Sequence, residues 1–152
     1  PLQSNKTRAV AEGFDCVHSV DRLKTAERLS AQRPPDLPPL QVCLQVNISG
    51  EASKSGASPA ELPALARAVA ALPRLRLRGL MAIPAPAEGL QAQREPHRAL
   101  RELLERLRAE GLALDTLSMG MSDDLEAAVL EGATIVRIGT AIFGHRAPKA
   151  AG

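Results

Sequence analysis

The chain has 152 residues, of which 45% are hydrophobic, enough to bury a core in one domain or in part of a larger one. Its 19 basic and 17 acidic residues are interspersed and leave a formal charge of +2, which provides no electrostatic footprint for a nucleic acid. The sequence shows neither a signal peptide nor an apolar run that would span a membrane, and this predicts a cytoplasmic location.

Strand-like and helix-like segments alternate from the amino terminus onward. The first strand is predicted at 14–20, and the helix after it, 21–32, would be capped by Ser19. The proline-rich segment 33–39 excludes both helix and central strand, so it is predicted as a loop. A strand rich in Val, Leu and Ile follows over 40–49, as expected for a strand buried on both faces.

The middle of the chain carries the clearest helix signals. Ser58, Pro59 and Glu61 have the spacing of a capping box with proline at the first helical position. Pro63 would remove one backbone hydrogen bond from the helix that follows, so its regular part is expected to begin late.

The next strand, predicted over 75–84, leads into the most regular helix of the chain. That helix, 95–111, has an apolar stripe at i, i+3, i+4 and i+7 and ends at Gly111. The stripe is formed by Leu100, Leu103, Leu104 and Leu107. His97 is predicted on the surface of this helix.

Two further strands are predicted, over 114–122 and 135–144, with a helix between them that Ser122 would cap. Five strands separated by helices predict a parallel sheet with right-handed crossovers. An open doubly wound sheet and a segment of an eight-stranded barrel both fit this order, and periodicity alone does not choose between them.

The loops after the last two strands carry the candidate site. The dinucleotide fingerprint G-x-G-x-x-G and the phosphate loop GxxxxGK[ST] are both absent. Barrels commonly bind phosphate at the loops after their last two strands, where this chain has Ser122, Gly139 and Thr140. Two hydroxyls and a glycine backbone are suitable phosphate donors, although an ordinary helix cap is the alternative for Ser122.

Six stretches, taken in order and at their spacing, closely resemble one family. They are PLQSNK (1–6), HSVDR (18–22), QVNISGEASKSG (45–56), RGLMAIP (78–84), LSMGMSDDLEAAVLEGAT (117–134) and VRIGTAIFG (136–144). The pattern is similar to that of the pyridoxal phosphate homeostasis protein family over residues 1 to about 146. The resemblance implies an α/β fold, the (β/α)8 barrel of the alanine racemase N-terminal domain (fold type III), which holds pyridoxal 5'-phosphate.

The resemblance also implies the roles of single residues. Arg137 would face the pyridine nitrogen of the cofactor, while Ser122, Gly139 and Thr140 would hold its phosphate. Because a guanidinium stays protonated and has no acceptor, the ring nitrogen beside it stays unprotonated, which makes the ring a weaker electron sink. The alternative for Arg137 is a solvated strand end or an ion pair with an acidic residue of the preceding helix: Asp124, Glu126 or Glu131.

In the family the cofactor forms a Schiff base with a lysine on the first barrel strand, which would lie upstream of Pro1. The chain is therefore predicted to be N-terminally truncated, lacking about the first two and a half strands. Residues 1–146 would form the C-terminal portion of one barrel domain, and 147–152 a flexible tail. The lysines present are not assigned that role, and for Lys54, on the site face, the simpler expectation is a pair with Glu51. They are Lys6, Lys24, Lys54 and Lys149.

The function implied is non-catalytic binding of pyridoxal 5'-phosphate in intracellular homeostasis of that cofactor. The expected partners are the cofactor itself and pyridoxal phosphate-dependent apoenzymes, with no nucleic acid, membrane or metal, and the expected state is a monomer. One alternative is a racemase or decarboxylase relative, which would need a catalytic tyrosine that this Tyr-free chain lacks. Another is a phosphate-ester barrel enzyme, which would need a carboxylate or histidine at several strand ends.

Overall fold

A computed structural model describes residues 1–148, so Lys149 and residues 149–152 of the predicted tail lie outside the described residues. A 3₁₀ turn, Ser4–Lys6, precedes the regular elements. These are α1 Thr7–Gly13, β1 Cys16–Val20, α2 Leu23–Gln32, β2 Leu40–Gln45, α3 Leu62–Ala70, β3 Leu75–Met81, α4 Leu90–Ala109, β4 Thr116–Ser118, α5 Leu125–Leu130 and α6 Thr140–Phe143. The predicted alternation of strands and helices is confirmed through β4.

The four strands form one parallel sheet in the order β1-β2-β3-β4. Val17 pairs with Val42, and Val42 with Leu77, so the first three strands share one register at this level. Each strand is hydrogen-bonded to the next strand along the chain, and the connections between them contain α2, α3 and α4. This is the topology that repeated βαβ units produce.

The hydrophobic core lies between the sheet and the helices. Alternate residues of a strand point to opposite faces, and on β2 Leu40, Val42 and Leu44 face the helices and are fully buried. They belong to one cluster with helical residues that include Leu29, Leu62, Val69, Leu100 and Leu107. We call this side of the sheet the outer face, and the opposite side the inner face.

The sheet is strongly curved, with the inner face concave. In a flat sheet, three spacings of about 4.8 Å would separate β1 from β4 by ~14 Å. Nevertheless His18 on β1 and Ser118 on β4 meet across the inner face, with 2.8 Å between Nδ1 and Oγ. Such curvature is expected of part of a closed barrel and not of an open doubly wound sheet.

Gly79 sets the separation of β3 and β4. A Cβ built on Gly79 would lie only 1.8 Å from the backbone oxygen of Thr116 on the neighbouring strand. The two backbones approach each other here more closely than a residue with a Cβ would allow. Glycine is therefore required at this position because of the close packing of the strands, not because of an unusual backbone conformation.

The predicted helix starts have mixed outcomes. The capping box is confirmed, because the Glu61 amide donates to Ser58 Oγ (3.2 Å) and the Ser58 amide to Glu61 Oε2 (3.1 Å). The regular helix α3 begins only at Leu62, as Pro63 predicted. The predicted cap Ser19 is wrong, because Ser19 lies inside β1 and α2 begins at Leu23 without a side-chain cap.

Helix α4 begins at Leu90 and runs through Pro96, five residues earlier than predicted. Proline removes one backbone donor from a helix interior. The buried leucine stripe on the following turns outweighs that loss, since Leu100, Leu103, Leu104 and Leu107 are all buried.

The last predicted strand, 135–144, is wrong in extent. Only Ile135 forms a bridge, to Ser118, and the chain turns into α6 at Thr140. The carbonyl of Gly139 accepts hydrogen bonds from the amides of Ile142 and Phe143, which closes a helical turn where the strand was expected to continue. Among residues 1–148, no helix has both the length and the apolar character needed to cross a membrane.

Candidate functional site

The candidate site lies at the carboxyl end of β4, where two segments run side by side. The Met119 amide donates to the Ile135 carbonyl (3.0 Å), and the Arg137 amide donates to the Gly120 carbonyl (2.9 Å). Both segments then leave the sheet, one as the loop 119–124 and the other as 138–141. Active sites of barrels are built from loops at this end of the strands.

The three predicted phosphate residues lie together. Ser122, Gly139 and Thr140 line one cavity of about 550 Å³, which His145 and Arg146 also line. A Cβ built on Gly139 would meet no described atom within 4 Å, so the backbone there faces open space. The cavity therefore presents two hydroxyl donors and an unobstructed stretch of backbone, a donor set suited to a phosphate.

Ser122 does not cap the helix after it, contrary to the prediction. Its Oγ instead accepts a hydrogen bond from the Ala141 amide at 3.0 Å, and the residue that precedes α5 is Asp124. The Ser122 hydroxyl thus ties the loop 119–124 to α6 and keeps its own proton free to donate.

Arg137 points away from this cavity, toward the end of β3. It is half-buried; its Nη2 donates to the Ala82 carbonyl at 2.8 Å, and its Nη1 lies 3.6 Å from Met81 Sδ. Its Nε is buried and has no partner in the described part of the chain. Burial lowers the pKa of Arg137, and the negative charge of Asp124 opposes that effect.

The ion pair considered as an alternative for Arg137 does not form within residues 1–148. Glu131 instead pairs with three arginines of α4: Arg94 at 2.9 Å, and Arg98 and Arg101 at 3.2 Å each. The guanidinium of Arg137 is thus a partly desolvated cation without a carboxylate partner among the described residues, which suits it to a ligand.

His18 and Ser118 lie on the inner face near Arg137. Burial lowers the pKa of His18, and the positive charge of Arg137 lowers it further, so both effects favour the neutral imidazole. The sequence gives no sign that His18 meets Ser118, because a contact between residues 100 positions apart has no local signal.

A second cavity, of about 290 Å³, opens on the inner face and is lined by Gln45, Lys54 and Met81 among others. The Gln45 side chain is 7% exposed, yet its Oε1 has no partner among residues 1–148. Lys54 Nζ lies 3.8 Å from Glu51 Oε2, so the expected pair is confirmed. In the described residues no three His, Cys, Asp or Glu side chains are placed to hold a metal ion.

The prediction of His97 as a surface residue is wrong. His97 lies on the buried face of α4 and is fully buried, and its Nε2 lies 2.8 Å from Asp124 Oδ2 in the loop that carries Ser122. Its position one turn before Leu100, in the apolar stripe, is the signal that could have indicated burial.

A comparison with protein families decides the kinship of the chain. The model of the alanine racemase N-terminal domain matches residues 2–147. The chain belongs to the alanine racemase N-terminal domain family. Within that family it is similar to the pyridoxal phosphate homeostasis protein of Pseudomonas aeruginosa, with 69% identity over 146 residues. The predicted resemblance to pyridoxal phosphate homeostasis proteins is confirmed. The match covers 96% of this chain and 62% of the relative, so the chain spans less than two thirds of that protein.

Solved structures agree with this kinship. PipY of Synechococcus elongatus with PLP bound is 36% identical, with a TM-score of 0.84 over 95% of this chain and 68% of that one. An alanine racemase of Clostridium difficile, 15% identical, has a TM-score of 0.75 over 98% of this chain and 39% of that one, a likeness of fold alone. The predicted fold class, part of a (β/α)8 barrel of the alanine racemase N-terminal kind, is confirmed.

Proposed function

We propose that this chain binds pyridoxal 5'-phosphate and acts in the homeostasis of that cofactor rather than in catalysis. One observation carries the proposal: Ser122, Gly139 and Thr140 line one cavity at the strand ends, while the nearby Arg137 has no carboxylate partner in the described residues. Support comes from the relatives, which are named pyridoxal phosphate homeostasis proteins or are solved with PLP bound.

The residues present fit the cofactor. Ser122 and Thr140 would donate their hydroxyl protons to its phosphate, and Gly139 leaves room for the phosphate beside the backbone. Arg137, whose Nε is buried without a partner within residues 1–148, would donate to the pyridine nitrogen. When bound, the cofactor supplies an electrophilic carbonyl carbon and an aromatic ring that withdraws electrons from a bound amine.

A carrier role is favoured over an enzymatic one by the same arginine. A guanidinium donates a hydrogen bond to the ring nitrogen but does not give up its proton, so the ring is a weaker electron sink. We infer a cytoplasmic monomer that delivers the cofactor to apoenzymes, with residues 1–146 as part of one barrel domain.

The test is a titration with pyridoxal phosphate and with pyridoxal, which lacks the phosphate. We expect Ser122→Ala and Thr140→Val each to weaken pyridoxal phosphate about 10- to 100-fold, because each removes a hydrogen bond to a charged group. Neither should change the affinity for pyridoxal. Arg137→Met should weaken both ligands, because it removes the contact to the ring that they share.

Arg108→Met is the matched control, since Arg108 is an exposed arginine of α4 that lies outside the site. It should leave both affinities unchanged. Failure of the wild-type chain to bind pyridoxal phosphate, or equal losses for both ligands in Ser122→Ala, would contradict the proposal.

A further inference from the structure

The loop that carries Ser122 is in contact with a buried side chain of α4. His97 is fully buried, and its Nε2 lies 2.8 Å from Asp124 Oδ2. Its Nδ1 is buried and has no partner in the described part of the chain. The tautomer with its proton on Nε2 therefore satisfies the contact, with the imidazole donating to the carboxylate.

Asp124 passes this constraint to the loop backbone. Its second oxygen, Oδ1, accepts a hydrogen bond of 2.7 Å from the Met121 amide. One carboxylate thus joins the imidazole of α4 to the residue immediately before Ser122. Because Asp124 itself comes two residues after Ser122, the serine is fixed on both sides.

A second contact from the same helix supports the loop. Gln93 Nε2 donates to the backbone carbonyl of Asp123 at 3.3 Å and to that of Ala87 at 3.1 Å. Gln93 and His97 are four residues apart and so lie on one face of α4. The buried leucine stripe anchors α4 to the sheet, which makes this helix a rigid reference for the loop.

The loop has little freedom to adopt another path. Gly120 has a φ of +98°, and a Cβ built on it would lie 2.5 Å from the Cβ of Ala128 in α5. On the far side of the loop, Ser122 Oγ accepts from the Ala141 amide, which links the loop to α6. The Ser122 hydroxyl is therefore held by α6 directly, and its loop is held by α4 through Asp124 and the Met121 amide.

We propose that His97 is a positioning residue for phosphate binding, which it controls through Asp124 and the backbone of Met121. This inference rests on the proposed function, because it assigns Ser122 to the phosphate. Loss of the imidazole donor frees the Asp124 carboxylate, and the Met121 amide and Ser122 hydroxyl shift with it. A hydroxyl that binds a charged group tolerates displacements of only about 0.5 Å.

The test compares the affinities of His97 variants for pyridoxal phosphate and pyridoxal. His97→Leu fills the buried position with an apolar side chain and removes the donor, whereas His97→Gln places an amide donor near the position of Nε2. We expect His97→Leu to weaken pyridoxal phosphate about tenfold while pyridoxal changes less than twofold. His97→Gln should restore most of the lost affinity, a rescue that a purely structural role would not predict.

A second variant covers the case in which His97→Leu does not fold. Asp124→Ala removes the same link from the loop side and should give the same phosphate-selective loss. Equal losses for both ligands, or no loss, in the variants that fold would overturn the inference. A wild-type chain that does not bind pyridoxal phosphate would instead overturn the proposed function, so the two failures are distinguishable.

Discussion

The outer and inner faces of the sheet differ in the polarity of their side chains. The outer face is aliphatic and covered by helices, with Leu44 and Leu80 fully buried in one continuous cluster. The inner face carries polar groups instead, among them His18, Gln45 and Ser118. Close packing of apolar side chains stabilises the fold, whereas polar groups directed into a concave surface suit it to hold a polar ligand.

Two buried or half-buried charged residues, Glu131 and Arg137, differ in the same way. Glu131 is 3% exposed and is neutralised by three arginines of α4. Arg137 is half-buried, has no carboxylate partner within residues 1–148 and hydrogen-bonds to the Ala82 carbonyl. The buried carboxylate is compensated inside the protein, whereas the guanidinium that we propose to bind a ligand has no carboxylate partner among the described residues.

The largest expected effect is on the outer face. Leu44→Ala should lower the free energy of unfolding by about 2–5 kcal/mol, because it leaves a cavity in the packed core. Chemical denaturation measures the loss. Leu37→Ala, at an exposed loop position, is the control and should cost less than ~1 kcal/mol. Comparable losses in the two variants would contradict the assignment of the core to this face.

Gly79→Ala should be next in size. The new methyl group would overlap the Thr116 carbonyl oxygen, so β3 and β4 must separate, at a cost of about 3 kcal/mol. Thermal denaturation of this variant can be set beside Gly13→Ala, where a Cβ meets no described atom within 4 Å. The prediction fails if both variants melt at the same temperature as the wild type.

Glu131→Gln tests the charge network through pH. Burial by itself would raise the pKa of Glu131, but hydrogen bonds from Arg94, Arg98 and Arg101 outweigh it and hold the pKa below its ordinary value. The folded state therefore gains stability from this carboxylate above about pH 4.5 and loses it as the pH falls through the lowered pKa.

We expect Glu131→Gln to be less stable at pH 7 by ~1–3 kcal/mol, with a difference from the wild type that shrinks below about pH 4.5. Denaturation at several pH values measures this. Glu105→Gln, at an exposed pair with Arg101, should change stability little. A stability difference independent of pH would exclude the ionic role.

The smallest expected effect is on the inner face. Gln45→Leu should change the free energy of unfolding by less than about 1 kcal/mol. The buried Oε1 of Gln45 has no hydrogen-bond partner in the described residues, so the substitution removes no hydrogen bond there. Gln41→Leu is the matched control on the same strand and face, and it should cost roughly 0.5–1.5 kcal/mol because Gln41 Oε1 accepts from Arg78 Nη1 at 3.0 Å. Equal costs would show that Gln45 has a partner after all.

Several local elements and the family of the chain could be predicted from the sequence. The capping box at Ser58 and the leucine stripe of α4 depend on residues within one or two turns, and the motifs around Ser122 and Arg137 identified the family and its candidate ligand. These signals are strong because the interacting residues lie close together in the sequence.

The contacts that hold the site together could not be predicted from the sequence. Four features of the site depend on contacts between distant segments. They are the curvature that brings His18 to Ser118, the burial of His97 beneath the loop, the absence of a carboxylate beside Arg137 in the described residues, and the turn at Thr140. No local periodicity encodes such contacts, because they arise when the sheet bends and the helices pack against it. The sequence therefore indicated which residues form the candidate site, but it did not indicate which residues they contact.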